Sequence, residues 1–91
     1  MLEVQWLKLA RADLLEIVDY IADDNPDAVQ RVKDDIEAKI EKLSDFPKMG
    51  RLGKIEATRE LVVHANYIVV YEEGDCTIRI LRVLHSAQQW P

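Results

Sequence analysis

The last third of the chain contains three apolar runs of strand length, all rich in Val, Ile, Leu and Tyr. They are Glu60–Val63, Tyr67–Glu72 and Thr77–Leu84. Turn-forming residues separate them, first Ala65-Asn66 and then Glu73-Gly74-Asp75. Short runs of this kind joined by tight turns are typical of neighbouring antiparallel strands. The pattern therefore predicts a three-stranded antiparallel meander, which needs a cover over its apolar face before it is stable.

Two apolar stripes at helical spacing precede the meander. The first stripe consists of Leu14, Ile17, Val18 and Ile21. The second consists of Val29, Val32, Ile36, Ile40 and Leu43. Asn25-Pro26 lies between them, and proline both ends one helix and suits the first position of the next. Because the link is so short, the two helices are predicted to run antiparallel as a hairpin.

The first residues, Leu2–Leu7, alternate between apolar and polar side chains and predict a short half-buried strand. Ser44–Thr58 is interpreted as a connection, because proline and glycine interrupt it. The predicted order is β–α–α–β–β–β, a small single α+β domain over residues 1–91. In this fold the helical hairpin packs on one face of an antiparallel sheet.

The opposite face of that sheet has no remaining sequence to cover it. The last strand is nevertheless apolar on both parities, with Ile78, Ile80 and Leu84 on one side and Leu81 and Val83 on the other. An uncovered apolar face of a sheet suggests a surface for a partner.

Composition and charge exclude several classes of function. The net charge of −5 argues against wrapping nucleic acid with the whole surface, although residues 48–59 and 79–85 are locally basic. No apolar run approaches the ~20 residues of a membrane span. The N-terminal MLEVQW lacks the features of a signal peptide, so we expect a cytoplasmic protein. Two distant histidines and the single Cys76 are too few for a metal site. No glycine-rich loop indicates a phosphate-containing cofactor.

Arginines in the two basic segments are candidates for contact with a target. Arg51 follows a glycine in the connection, and Arg59 enters the first strand of the meander. Arg79 and Arg82 lie on the last strand with opposite parity. Only one of these two faces the helices, where a cation needs a partner. The other points outward.

The sequence also supports expectations for His85, for Trp90 and for the carboxylates of the helices. His85 ends the last strand, and histidine is the side chain best suited to proton transfer near neutral pH. Trp90 is expected either to lie against the core or to contact a partner. The many carboxylates of the helices, Asp13 and Asp19 among them, are interpreted as a solvated surface and not as a catalytic pair.

A set of short motifs extends over nearly the whole chain. They are Asn25-Pro26, Phe46-Pro47, Gly50-Arg51, Thr58-Arg59-Glu60-Leu61, the run from Asn66 to Tyr71, and the ending from Val83 to Pro91. With these motifs in this order, the chain resembles the toxins of the RelE/ParE superfamily, which belong to type II toxin–antitoxin modules. Its ending is similar to that of the plasmid-stabilisation, ParE-type branch.

This resemblance implies one of two activities. RelE-type members cut messenger RNA on the ribosome, whereas ParE-type members are poisons of DNA gyrase and do no cutting. RelE-type relatives place a catalytic arginine where this chain has Ile68, and further Arg and Tyr where it has Ser86 and no tyrosine. A histidine-using branch has His and Asp at positions that match Val62 and Asn66.

Only Arg59 and His85 match either catalytic set, so the resemblance favours the branch that is not a nuclease. The alternatives are a ribosome-dependent mRNA endoribonuclease that uses these two residues, and a non-toxic homologue that only binds an antitoxin. In every case the implied partner is a cognate antitoxin. The residues expected to contact the target are Arg51, Arg59, Arg82, His85 and Trp90. We expect Arg59→Ala and Arg82→Ala to weaken toxicity while leaving the fold intact.

Overall fold

The computed structural model describes residues 1–64 and 66–86. Its main elements are β1 (Glu3–Trp6), α1 (Lys8–Asp24), α2 (Val29–Glu41), β2 (Arg51–Leu52), β3 (Thr58–His64), β4 (Tyr67–Glu73) and β5 (Thr77–His85). Single 3₁₀ turns lie at Pro26–Ala28 and Lys42–Ser44. The predicted α+β order is confirmed, with one strand added. The sequence pattern does not show β2, because two residues are too few to form an alternation.

The strands lie in the order β1-β5-β4-β3-β2. The pairs from β5 to β2 are antiparallel, whereas β1 joins the sheet parallel to β5. A parallel neighbour requires a long connection, and here α1, α2 and the strands β2, β3 and β4 all lie between β1 and β5 in the chain. Because α1 packs on β5 and α2 packs on β3, the hairpin covers one face of the sheet, as predicted.

The hydrophobic core lies between the hairpin and the sheet. The helices contribute Ala10, Ile17, Val32, Ile36 and Ile40. The strands contribute Val63, Val69, Tyr71, Ile78, Ile80 and Val83. The alternating side chains of the first strand, Leu2, Val4 and Trp6, pack against the same core, as their spacing predicts. Of the described helices, none is long and apolar enough to cross a membrane.

A β-bulge in β5 explains why apolar residues occur at both odd and even positions of that strand. Val70 pairs with Arg82, but the next residue, Tyr71, pairs with Ile80, so one residue of β5 is left over. An extra residue reverses which parity faces the core. As a result, Val83 joins Ile80 in the core under the helices, in contrast to the predicted separation of these residues.

The turn between β2 and β3 contains a left-handed residue, Ala57, with φ at 70°. Hydrogen bonds on both sides hold this conformation. The Thr58 amide donates to the Ile55 carbonyl at 3.1 Å, and the Gly53 amide donates to the Thr58 carbonyl at 2.9 Å. A residue with a Cβ atom is strained by about 1–2 kcal/mol in this region. The turn therefore stores a small strain that glycine would relieve.

We expect Ala57→Gly to raise the free energy of unfolding by about 0.5–1 kcal/mol. Relief of the left-handed strain exceeds the added entropy of glycine in the unfolded chain. Urea denaturation followed by circular dichroism measures the change. The matched control is Ala12→Gly, on the exposed side of α1. There the same substitution should cost about 1 kcal/mol. Equal losses in both variants would contradict the assignment of strain.

Candidate functional site

A cleft of about 650 Å³ lies beside α1, where β3, β4 and β5 come to one end of the sheet. Its polar lining residues include Asp13, Tyr20, His64, Tyr67, Arg82 and His85. The hairpin supplies an apolar wall that includes Ile17, Ile21 and Val32. The cleft therefore combines an apolar wall with titratable side chains, which is common in binding sites.

Asp13 and Arg82 form a bidentate ion pair in this cleft. Arg82 Nε donates to Asp13 Oδ2 at 2.7 Å, and Arg82 Nη2 donates to Asp13 Oδ1 at 3.0 Å. Asp13 is 9% exposed, so its interpretation as a solvated helix residue is wrong. The hydrogen bond that Arg82 donates to Asp13 raises the pKa of Arg82 above its ordinary value. Of the two arginines on β5, Arg82 is therefore the one that meets the helices, and Asp13 is its partner.

Asp13 also completes the edge of the sheet. β1 pairs with β5 only as far as Ile80, and the Leu7 amide makes one more bond to the Ile80 carbonyl at 3.1 Å. Beyond that point the Val83 amide donates to Asp13 Oδ2 at 3.0 Å. The carboxylate thus takes the place of a neighbouring strand after the bulge. An unpaired strand edge is a site for unwanted pairing, and Asp13 closes part of it.

His85 lies at the far end of β5, opposite Tyr67 of β4. The two rings meet edge to face, with 5.6 Å between centroids and 87° between planes. On β3, His64 Nδ1 lies 3.4 Å from a carboxylate oxygen of Asp35 on α2. Both histidines therefore line the cleft with defined contacts.

Arg59 and Arg51 lie at the other end of the sheet, beside β2. Arg59 Nη1 donates to the Gly50 carbonyl at 2.8 Å, so its guanidinium is used to hold the connection that leads into β2. Arg51 Nη2 lies 3.0 Å from Glu60 Oε1. The Arg51 side chain is 72% exposed, whereas that of Glu60 is 8% exposed. Arg59 is half-buried, so Arg51 is the more accessible of the two arginines.

A buried tyrosine anchors the same connection. Tyr71 Oη donates to the Pro47 carbonyl at 2.7 Å and accepts from the Gly50 amide at 2.9 Å. A Cβ atom at Gly50 would lie 2.8 Å from both Tyr71 Oη and the Glu60 carbonyl, which is closer than real contacts allow. Burial raises the pKa of Tyr71 above its ordinary value of 10.0.

We expect Tyr71→Phe to lower the free energy of unfolding by about 2 kcal/mol at pH 7. The change leaves the Gly50 amide without its acceptor and the Pro47 carbonyl without its donor. The matched control is Tyr20→Phe, because the Tyr20 side chain is largely exposed. This substitution should change the free energy of unfolding little. A loss at Tyr71 no larger than that of the control would contradict this role of the hydroxyl.

The same tyrosine predicts a loss of stability at alkaline pH. In the unfolded chain Tyr71 deprotonates near pH 10, whereas the folded chain retains the proton to higher pH. Above about pH 10 the unfolded state therefore binds fewer protons, and stability falls as pH rises. Below pH 10 the contribution is fully present. Denaturation of the parent and of Tyr71→Phe at pH 9 and pH 11 should show a smaller decline in the variant.

The structure separates the two candidate catalytic residues. Arg59 pairs with Tyr71 and His85 pairs with Tyr67, four residues apart on the shared strand β4. At the rise of a β-strand this is about 13 Å. Trp90 lies outside the described residues. Within residues 1–64 and 66–86, no group of His, Cys, Asp and Glu has the arrangement of a metal site.

Sequence reasoning missed Asp13 and the hydroxyl of Tyr71 as organising groups. Asp13 lies four residues before Ile17, which places it at the border of the apolar stripe of α1. Asp35 and Glu37 lie at similar spacings from Val32 and Ile40, so this position alone does not identify Asp13 as buried. For Tyr71, its place in an apolar run indicates burial but does not identify the loop that its hydroxyl binds.

Comparison with known proteins agrees with this fold. Residues 4–90 match the sequence profile of the family described as "ParE toxin of type II toxin-antitoxin system, parDE". The chain is 40% identical over 89 residues to the putative toxin Y4kP of Sinorhizobium fredii, covering 97% of this chain and 92% of that protein. It is 36% identical over 88 residues to the toxin RelE2 of Caulobacter vibrioides, covering 97% of this chain and 99% of that protein.

Solved structures show the same architecture. A chain of the chromosomal ParDE toxin–antitoxin system of P. aeruginosa superposes with a TM-score of 0.84 at 22% identity, over 93% of this chain and 96% of that chain. A chain of the toxin–antitoxin complex RelBE2 of Mycobacterium tuberculosis superposes with a TM-score of 0.65 at 26% identity, over 92% and 96%.

Proposed function

Because the chain belongs to the family of ParE toxins of type II toxin–antitoxin systems, we propose that it arrests growth by binding and inhibiting DNA gyrase. In this proposal a cognate antitoxin neutralises it, and it cuts no RNA. The superfamily expected from the sequence motifs is confirmed by the family match. The choice of gyrase over the ribosome rests on the geometry of the candidate catalytic residues.

The distance between Arg59 and His85 supports a binding function. Hydrolysis of RNA needs a general base for the ribose hydroxyl, a general acid for the leaving oxygen and a cation for the charge on phosphorus. These groups must surround a single phosphate. Arg59 and His85 pair with opposite ends of β4, about 13 Å apart along the strand. In addition, the Arg59 guanidinium donates to the Gly50 carbonyl.

The cleft beside α1 is the proposed site for the antitoxin. It lies beside the part of β5 that β1 does not reach, so it offers an apolar wall next to a strand edge. A segment that orders on binding suits such a surface by packing against the helices, because Asp13 already accepts from the Val83 amide at the strand edge. Two of the similar solved structures come from toxin–antitoxin systems.

Of the predicted target contacts, Arg82 is held in an ion pair, and this changes what its substitution would report. Its ion pair with the largely buried Asp13 means that Arg82→Ala would leave a carboxylate without its cation. A loss of toxicity in that variant would therefore report on stability. Arg51, whose guanidinium is largely exposed, remains a candidate for direct contact.

Two assays on one preparation test the proposal. We expect the purified toxin to inhibit DNA supercoiling by gyrase, and primer extension on translated message to show no toxin-dependent cuts. His85→Ala should inhibit gyrase like the parent chain. Codon-positioned cuts that disappear in His85→Ala would overturn the proposal in favour of an endoribonuclease. If neither activity appears, the chain is a non-toxic homologue that binds an antitoxin.

A further inference from the structure

Five large apolar side chains are exposed around β2 and the connection before it. They are Phe46, Met49, Leu52, Ile55 and Val62, with exposed fractions between 41% and 77%. Phe46 and Met49 line one shallow hollow, and Met49 and Val62 line a second. Met49 therefore joins the two hollows into one surface. We call Phe46, Met49 and Val62 the apolar ridge.

Cations flank the apolar ridge, although the whole chain is acidic. Residues 46–55 contain Lys48, Arg51 and Lys54 and no carboxylate, whereas the net charge of the chain is −5. The ion-pair partners of the first two are recessed. Lys48 is 71% exposed and Glu73 only 29%, and Arg51 is 72% exposed and Glu60 only 8%. The cations of this segment are therefore more exposed than the carboxylates that pair with them, although Asp45 and Glu56 at the two ends of the segment are also exposed.

The backbone beneath the ridge is held firmly from the sheet side. Tyr71 binds both Pro47 and Gly50, and Arg59 binds the Gly50 carbonyl. An apolar surface on a braced backbone loses little conformational entropy when a partner binds it. These hydrogen bonds hold the backbone on both sides of Met49 in one arrangement.

We infer that the apolar ridge is the surface through which the toxin engages its cellular target. The target is a folded protein that presents an apolar cleft bordered by carboxylates. The inference rests on the proposed function, in which the toxin acts by binding a protein. Charge complementarity identifies the border of that cleft, because the side chains of Lys48 and Arg51 are much more exposed than the carboxylates of Glu73 and Glu60 that pair with them.

The chemistry of the ridge favours a protein target over RNA and over the antitoxin. Single-stranded RNA is bound by aromatic side chains that stack on bases, and the ridge has one aromatic residue beside two aliphatic ones. The antitoxin is proposed to occupy the cleft beside α1, whose lining shares no residue with either hollow of the ridge. Substitutions in one lining therefore leave the side chains of the other lining unchanged.

The test uses the double variant Met49→Ser with Val62→Ser, which removes apolar surface without adding charge. We expect induced growth arrest to be lost. The toxin concentration needed for half-maximal inhibition of gyrase should rise at least twentyfold. Affinity for the purified cognate antitoxin should stay within threefold, which also shows that the variant folds. Leu15→Ser is the control at an apolar side chain on α1 that is 65% exposed, against 42% for Met49 and 53% for Val62, and it should arrest growth like the parent.

Each other outcome overturns the inference in a different way. Arrest unchanged in the double variant means that the ridge does not contact the target. Loss of antitoxin affinity together with arrest assigns the ridge to the antitoxin. If Lys48→Gln with Lys54→Gln abolishes arrest while the serine variant retains it, the ligand is a nucleic acid.

The outcome for gyrase is read separately from the outcome for the ridge. A parent chain that arrests growth without inhibiting gyrase refutes the proposed target, and the ridge is then judged by growth arrest alone. A parent chain that arrests no growth refutes both.

Discussion

Asp13→Ala should lower the free energy of unfolding by about 3–5 kcal/mol, close to half of the stability expected for a domain of this size. The substitution removes the partner of a cation that is held against α1 and the acceptor of a strand amide. Asp19→Ala, at an exposed carboxylate of the same helix, should change stability by no more than about 0.5 kcal/mol. Urea denaturation measures both variants.

A double-mutant cycle distinguishes the ion pair from the edge-closing role of Asp13. Arg82→Ala and Asp13→Ala remove the same two charge-assisted bonds, so the double variant should cost at least 2 kcal/mol less than the sum of the single variants. The part of the loss that is specific to Asp13 reflects the hydrogen bond that the Val83 amide donates to its carboxylate. Additive losses would mean that the pair contributes nothing as a pair.

The periodic elements of this fold follow from the sequence, because their signals are repeated. The stripe of α2 predicts Val32, Ile36 and Ile40 as buried, and the structure buries all three. The alternation of β1 likewise predicts its inward side chains. Each of these elements is long enough for the hydrophobic period to be read more than once.

Features that depend on a single residue or on distant partners were not predictable. The bulge in β5 has no glycine to mark it in the sequence. It is visible only in the pairing with β4, where Val70 lies opposite Arg82 and Tyr71 lies opposite Ile80. The parallel pairing of β1 depends on where the hairpin returns the chain. The partner of Arg82 lies 69 residues away. Local patterns carry no information about such long-range pairs.

The difference between local patterns and long-range pairs also explains which features of the candidate site the sequence could indicate. Arg51, Arg59, Arg82 and His85 were identified as residue types suited to a target, and the structure then assigns them different surroundings. Arg59 braces a loop and Arg82 pairs with a helix carboxylate, whereas Arg51 is largely exposed. Residue type selects candidates, but the partner of each side chain decides what it can contact.

Ile36→Ala is expected to cost about 4 kcal/mol, and Leu14→Ala about 2 kcal/mol. Ile36 is completely buried in the core between α2 and the sheet, whereas Leu14 is only half-buried at its border. The loss on truncation includes the transfer of the removed carbons and the cavity that remains, and a site at the border can partly fill. Thermal and urea denaturation of the two variants measure this difference, and equal losses would contradict the position of the core.

Binding of the antitoxin provides a second readout for Ile36→Ala. A ligand that binds only the folded state adds RT ln(1 + [L]/Kd) to stability, which is about 2.7 kcal/mol at a concentration 100 times Kd. Saturating antitoxin should therefore restore most of the stability that Ile36→Ala removes, since Ile36 does not line the cleft beside α1. If the antitoxin raises the stability of the parent and not that of this variant, then packing in the core determines the shape of the antitoxin-binding cleft. The truncation of Ile36 would in that case have changed the cleft itself.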